Sequence, residues 1–213
     1  MTATKPEARD RLIVALDVDS AAEALAIVKK TAPHVGCYKV GLQLFVQEGP
    51  ALVRELLASG RKVFLDLKLH DIPNTVLSAS RRVAELGVSL FTVHCLNGRR
   101  SLAQCLQGLQ EHCAGKSIEV PAMVGVTILT SMTDADLHGT GLVLGVEKAV
   151  ENLVGQSYRA GLRHFVASAR EAKLIKQSFP DAYLITPGIR PAGSPAEDQS
   201  RAMTPGEAIP AGA

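Results

Sequence analysis

Several signals that would settle a function class outright are missing from this sequence. There is no Cys-x-x-Cys pair: the four cysteines stand at 37, 95, 105 and 113, the first far from the rest. That argues against a zinc site or a disulfide framework and suits reduced thiols in a cytosolic protein. The six histidines, at 34, 70, 94, 112, 138 and 164, show no metal-ligand spacing. His94 ends a strand, where it either lines a site or, the commoner case, is an interior histidine satisfied by hydrogen bonds. No sustained Lys/Arg run occurs and the net charge is +2, which gives no electrostatic case for a nucleic-acid or membrane partner. No stretch approaches 18 uninterrupted apolar residues, and the opening MTATKPEARDR is polar with no apolar signal core. A cytoplasmic location is expected.

What is present is an ordinary globular composition, 46% hydrophobic and 21% charged over 213 residues. That suffices for a substantial core in a single domain spanning 1–213. Short runs rich in Val, Ile and Leu alternate with longer segments of helical period, the pattern of βα units around a parallel sheet. Seven strands are expected at about 12–17, 36–41, 62–68, 88–95, 120–129, 163–168 and 182–187. Helices are expected between them at about 20–32, 44–59, 74–86, 100–113, 146–160 and 170–178. Gly87 and Gly161 mark helix-to-strand joints, where glycine accepts the left-handed conformation that ends a helix. HGTGLVLG, 138–145, lacks the strand placement of a dinucleotide fingerprint and reads as a loop before a helix, and Thr133–Asp136 reads as a helix-start cap.

Polar residues fall repeatedly at the C-terminal ends of these strands: Asp17, Lys39, Asp66 and Lys68, His94, Thr130 and Ser131, then Pro187 to Arg190. Contributions from many strand ends favour a TIM-type (β/α)8 barrel, whose βα loops build one site, over an open doubly wound sheet. Alternation along each strand places Phe64, Asp66 and Lys68 on one face and Val63, Leu65 and Leu67 on the other. Likewise Lys39 and Asp17 fall on the inner faces of their strands, so the charges point into the barrel mouth.

Asp17, Lys39, Asp66, Lys68 and Asp71 thus form a cluster of alternating sign, in which each charge offsets its neighbour's desolvation. Such a cluster is either a structural ion-pair network at the barrel rim or an active site. Asp71-Ile72-Pro73-Asn74-Thr75 favours the second, because Pro73 suits a first helical turn and Asp71 its capping region. The stretch DLKLHDIPNT (66–75) closely resembles the signature of the orotidine 5′-monophosphate decarboxylase family. ALDVD at 15–19, YKVG at 38–41, VTILTSM at 126–132 and TPGIRP at 186–191 continue the likeness in order along nearly the whole chain.

The resemblance implies decarboxylation of orotidine 5′-monophosphate to UMP by a homodimer of barrels with shared active sites and no cofactor or metal. By the same resemblance Lys68 is the proton donor to C6 of the pyrimidine, and Asp66 lies beside the substrate carboxylate. Lys39 and Asp17 would meet the ribose hydroxyls, with Lys39 also bridging the carboxylates. Asp71, Ile72 and Thr75 would serve the neighbouring subunit's site. Thr130 and Ser131 would meet the pyrimidine edge, Pro187 and Arg190 would bind substrate, Arg190 at the phosphate, and Gln199 would span base and phosphate from a lid over 188–205. A magnesium-dependent sugar-phosphate decarboxylase or synthase of the same superfamily shares Asp-x-Lys-x-x-Asp, and a non-catalytic nucleotide-binding barrel is the reading from another class. TPGEAIPAGA, 204–213, starts like a capped helix with Thr204 at the N-cap. Pro210 is expected to weaken or break that helix, and no eighth strand is expected in a chain that reads as C-terminally shortened.

Overall fold

Each apolar run becomes a strand and each helical-period segment a helix, alternating along the chain except before the sixth strand, where two helices follow in succession. The computed structural model describes residues 8–190 and 203–213. A 3-10 turn, Ala8–Arg11, precedes strand β1 (Ile13–Ala15), which is followed by α1 (Ala21–Thr31), β2 (Cys37–Gly41), α2 (Leu42–Ala58), β3 (Lys62–Leu69) and α3 (Pro73–Leu86). Next come β4 (Leu90–His94), a second 3-10 turn, α4 (Arg99–Lys116), β5 (Ala122–Val126), α5 (Asp134–Gly139) and α6 (Val146–Arg159). The remaining elements are β6 (His164–Val166), α7 (Ala169–Ser178), β7 (Tyr183–Ile185) and α8 (Pro205–Ala211).

The strand order in the sheet is the chain order, β1 to β7. Registers are parallel, with Lys39 opposite Phe64 and Gly41 opposite Asp66 between β2 and β3, and Phe165 opposite Leu184 between β6 and β7. A doubly wound sheet reverses its order at a switch point, whereas this order runs without reversal, as in a β/α barrel. Seven strands and no eighth occur among the described residues, in line with the sequence.

By contact density the chain divides into two units. One holds residues 8–68 with Ser78–Thr92 and Leu109–Ala122; the other holds Leu69–Leu77, Val93–Gly108 and residues 123–190 and 203–213. In the first, the strand faces opposite the charges make the core: Leu16, Tyr38, Val63 and Leu65 are fully buried. Each such side chain contributes about 1.5–3 kcal/mol of transfer free energy. Tyr38 shares a hydrogen bond with Thr31 Oγ1 (2.9 Å) and donates to the Val28 carbonyl (3.4 Å), which ties β2 to α1. In the second unit Val124, Leu162 and Phe165 are the equivalent buried layer.

Apart from β3, which runs one residue beyond the expected 62–68, the strands are shorter than the apolar runs suggest, because their end residues leave the ladder to enter loops. After β5, Met132 N–H bonds the Leu129 carbonyl in a turn (2.9 Å). Gly87 (φ 86°), Gly161 (φ 106°) and Gly212 (φ 110°) take the left-handed conformation expected of helix-ending joints. Thr133 forms a full capping box with Asp136 at the start of α5, and Thr204 with Glu207 at the start of α8. Within 138–145, His138 and Gly139 complete α5 and only the rest is loop.

Two helices depart from expectation. α2 kinks at Gly49 (φ 60°), immediately before Pro50, whose missing N–H and ring bulk disrupt the helix. α8, by contrast, runs through Pro210. Pro210 is the sixth of seven helical residues, so it forgoes one bond, to the Gly206 carbonyl, and the end is still closed by Ala213 N–H to the Ala208 carbonyl (3.0 Å). The four cysteines are buried and unbridged, and burial pushes the Cys95 thiol up to about 12 and Cys37 up to about 11. Burial raises the Cys113 thiol as well, and thiols raised in this way are poor nucleophiles. No helix among the described residues is long and apolar enough to cross a membrane.

Candidate active site

β1, β2 and β3 lie side by side in register, so the inward side chains at their C-terminal ends must meet. Lys39 Nζ lies 3.0 Å from Asp17 Oδ1 and 3.7 Å from Asp66 Oδ2. Lys68 Nζ lies 2.9 Å from the same Asp66 oxygen. The second Asp66 oxygen, Oδ1, accepts a 2.9 Å hydrogen bond from the hydroxyl of Thr92 on β4. Asp66 is buried, Lys39 and Lys68 are partly exposed, and Asp17 is open to solvent. The network is therefore anchored on one buried carboxylate and opens outwards.

An ionised carboxylate accepts only, and here both oxygens are engaged by donors, two of them cationic. That arrangement offsets the cost of burying Asp66 and keeps charges of both signs fixed side by side. The backbone adds a further constraint: Lys68 has φ 51°, in the left-handed region that a non-glycine residue rarely adopts. Its N–H is held by Thr92 Oγ1 at 2.8 Å. A lysine ammonium oriented this way can deliver a proton to a nearby atom, and the fixed charges can stabilise negative charge that develops there.

The other residues singled out from the sequence lie in the second unit. Asp71 Oδ1 accepts the Ile72 N–H (2.6 Å), and the Asp71 N–H is donated to Asn97 Oδ1 (3.3 Å). The Ile72 carbonyl accepts from Thr75 and Val76 and so begins α3, with Pro73 at its first position; Asp71 stands one residue outside the cap. Asp71, Ile72 and Thr75 are all exposed at this turn. Thr130 and Ser131 follow β5 in a turn, Thr130 half-buried and Ser131 exposed. Pro187 and Arg190 follow β7, both half-buried; the Arg190 N–H bonds the Met203 carbonyl (2.9 Å) and its guanidinium bonds the Ile189 carbonyl (3.1 Å). Gln199 and most of the lid segment lie outside the described residues. The His94 ring accepts the Leu96 N–H (3.3 Å) and stacks on His70 at 5.3 Å, the hydrogen-bonded histidine expected.

Thr92 was not among the residues the sequence pointed to. Its signal was available, because on β4 it alternates onto the same face as His94, but a threonine in a β-rich run reads as strand propensity. The left-handed backbone of Lys68 has no counterpart in sequence.

The strand order and the carboxylate–lysine network at the strand ends define a protein of β/α-barrel class with an ionic site at the C-terminal ends of its first strands. Residues 10–213 match the family model described as orotidine 5′-phosphate decarboxylase / HUMPS family, and the chain belongs to that family. It is 45% identical over 207 residues to the orotidine 5′-phosphate decarboxylase of Syntrophotalea carbinolica, covering 97% of this chain and 85% of the relative. It is 47% identical over 203 residues to that of Vibrio cholerae, covering 95% and 86%. Among solved structures it is similar to orotidine 5′-phosphate decarboxylase from Lactobacillus acidophilus, with a TM-score of 0.81 at 34% identity, covering 95% of this chain and 86% of that one.

Proposed function

We propose that this protein is a carbon–carbon lyase that decarboxylates orotidine 5′-monophosphate to UMP, the last step of de novo UMP synthesis. The observation that carries the reading is the buried Asp66 carboxylate fixed between the ammonium groups of Lys39 and Lys68, in a chain of this family. Loss of CO₂ from C6 breaks a carbon–carbon bond and leaves its electron pair on C6 as a vinyl carbanion with no electron sink in the substrate. Lys68 Nζ delivers the proton that forms the C6–H bond, and regains one from solvent. Fixed charges that need no reorganisation stabilise the developing anion. Asp66 faces the substrate carboxylate and holds Lys68 in place.

Lys39 and Asp17 take the ribose hydroxyls, Thr130 and Ser131 the pyrimidine edge, and Pro187 lines the pocket. Arg190 takes the phosphate and Gln199 spans base and phosphate; the phosphate's binding energy, remote from the chemistry, closes the lid and organises the site. The enzyme acts as a cytoplasmic homodimer of single-domain barrels, each supplying Asp71, Ile72 and Thr75 to its partner's site. The test is the ultraviolet absorbance change of orotidine 5′-monophosphate. Wild-type turnover should fall by at least about a thousandfold in Lys68→Ala, the scale of a lost proton donor, with UMP binding retained. Turnover indifferent to EDTA separates this reading from magnesium-dependent chemistry. A small loss in Lys68→Ala would remove Lys68 from the proton-donor role.

A further inference from the structure

Asp66 and Lys68 are two residues apart on one strand, yet their side chains and backbones are locked together by a third residue that belongs to neither the ion pairs nor β3. Thr92 is fully buried on β4. Its Oγ1 accepts the Lys68 N–H at 2.8 Å and donates to Asp66 Oδ1 at 2.9 Å. Lys68 Nζ in turn reaches Asp66 Oδ2 at 2.9 Å. The result is a closed ring: Lys68 backbone, Thr92 hydroxyl, Asp66 carboxylate, Lys68 ammonium.

We propose that Thr92 is a positioning residue for the decarboxylation, its hydroxyl fixing both the rotation of the Asp66 carboxylate and the left-handed backbone from which Lys68 reaches its target. The inference rests on the reaction proposed above. Three physical points support it. A residue at φ 51° without a glycine's freedom persists only where its surroundings hold it, and the amide of this strained residue is itself the group bonded to Thr92. A hydroxyl has one proton, so once Oγ1 accepts from the Lys68 amide, its proton goes to Asp66 and the direction of both bonds is set. A bond to a carboxylate is charge-assisted, and it engages Asp66 Oδ1, the oxygen opposite the one that Lys68 bonds. Freed of it, the carboxylate can rotate, and the Lys68 ammonium bonded to it moves as well.

A misplacement of this kind acts on the transition state more than on ground-state binding. Thr92→Val keeps the branched shape and the strand propensity but removes the hydroxyl; Thr92→Ser keeps the hydroxyl. In steady-state assays on orotidine 5′-monophosphate, Thr92→Val should lower kcat by about tenfold to a hundredfold, the worth of one charge-assisted hydrogen bond. The dissociation constant for UMP should stay within about threefold of wild type. Thr92→Ser should restore most of the lost kcat. If Thr92→Val does not fold, Thr92→Ala beside Thr92→Ser isolates the same hydroxyl. Equal kcat in the variants with and without the hydroxyl overturns the proposal, as does a parallel loss of kcat and UMP affinity in Thr92→Val that serine does not repair. A folded wild type without turnover overturns instead the reaction on which the proposal rests, so the two failures are distinguishable.

Discussion

Among single residues, the tightest constraint at the site is one of space. Gly41, at the end of β2, has φ −88° and ψ −179°, a conformation any residue adopts, so its smallness is not explained by backbone freedom. A Cβ at that position would stand 3.2 Å from Lys39 Nζ and 3.3 Å from Asp17 Oδ1. These atoms are the two ends of the 3.0 Å ion pair, so Gly41→Ala pushes them apart while leaving the strand intact. Because the displaced lysine tip is flexible, the expected thermal midpoint is within about 2 °C of wild type, as for a substitution of a few tenths of a kcal/mol. Since Asp17 and Lys39 are assigned to the ribose, KM for orotidine 5′-monophosphate should rise about tenfold, with kcat changed less. An unchanged KM would remove the Lys39–Asp17 pair from ribose recognition.

Between elements, α3 and α4 are joined at the surface by one carboxylate. Glu85 on α3 accepts from Arg82 (2.7 Å) on its own helix, and on α4 it meets His112 Nε2 at 3.0 Å and bonds Lys116. Hydrogen bonds from Lys116 first, and from Arg82, hold its carboxyl down to about 2. A carboxylate with a depressed folded-state value contributes stability above its unfolded-state value, and that contribution is lost as pH falls through the folded one. Wild type should therefore melt above Glu85→Gln at pH 7, and the gap should narrow as pH falls from about 4.5 towards about 2. A gap that stays constant over that range would show that Glu85 joins the helices by packing and not by charge. The site itself should be indifferent to this change, since it lies at the strand ends and not on the helix surface.

For the molecule as a whole, the prediction concerns sharing between subunits. If each barrel lends Asp71 to its partner, Lys68→Ala and Asp71→Ala homodimers are both inactive, but a mixed dimer has one site with neither change. Random exchange of equal amounts puts half the molecules in mixed dimers with one intact site of two, so about a quarter of wild-type activity should return. Recovery needs exchange of subunits, which sedimentation of a size-tagged copy can check beforehand. No recovery from an exchanged mixture would place Asp71 in the same site as Lys68.

Element identity was legible because it rests on local rules: apolar runs of strand length, helical periods, glycine joints and capping boxes at Thr133 and Thr204 all act within a few residues. The alternation that places Asp17, Lys39 and Asp66 on inward faces is also local, so the charged cluster could be read before any contact was known. The exact span of each strand was not legible, because a strand ends where its neighbour stops pairing. The survival of α8 through Pro210 depended on how few bonds remained beyond it. Above all, the sequence by itself determined which charges meet at the ends of β1 to β3, since Lys39, Asp66 and Lys68 alternate onto one face of β2 and β3 and Asp17 follows β1. Only the tertiary structure decided how they are held: Thr92 lies 24 residues from Lys68, and nothing local connects its hydroxyl to that left-handed backbone. A parallel sheet brings β3 and β4 together across a helix, and that long-range pairing turns a strand-forming threonine into a clamp on the buried carboxylate.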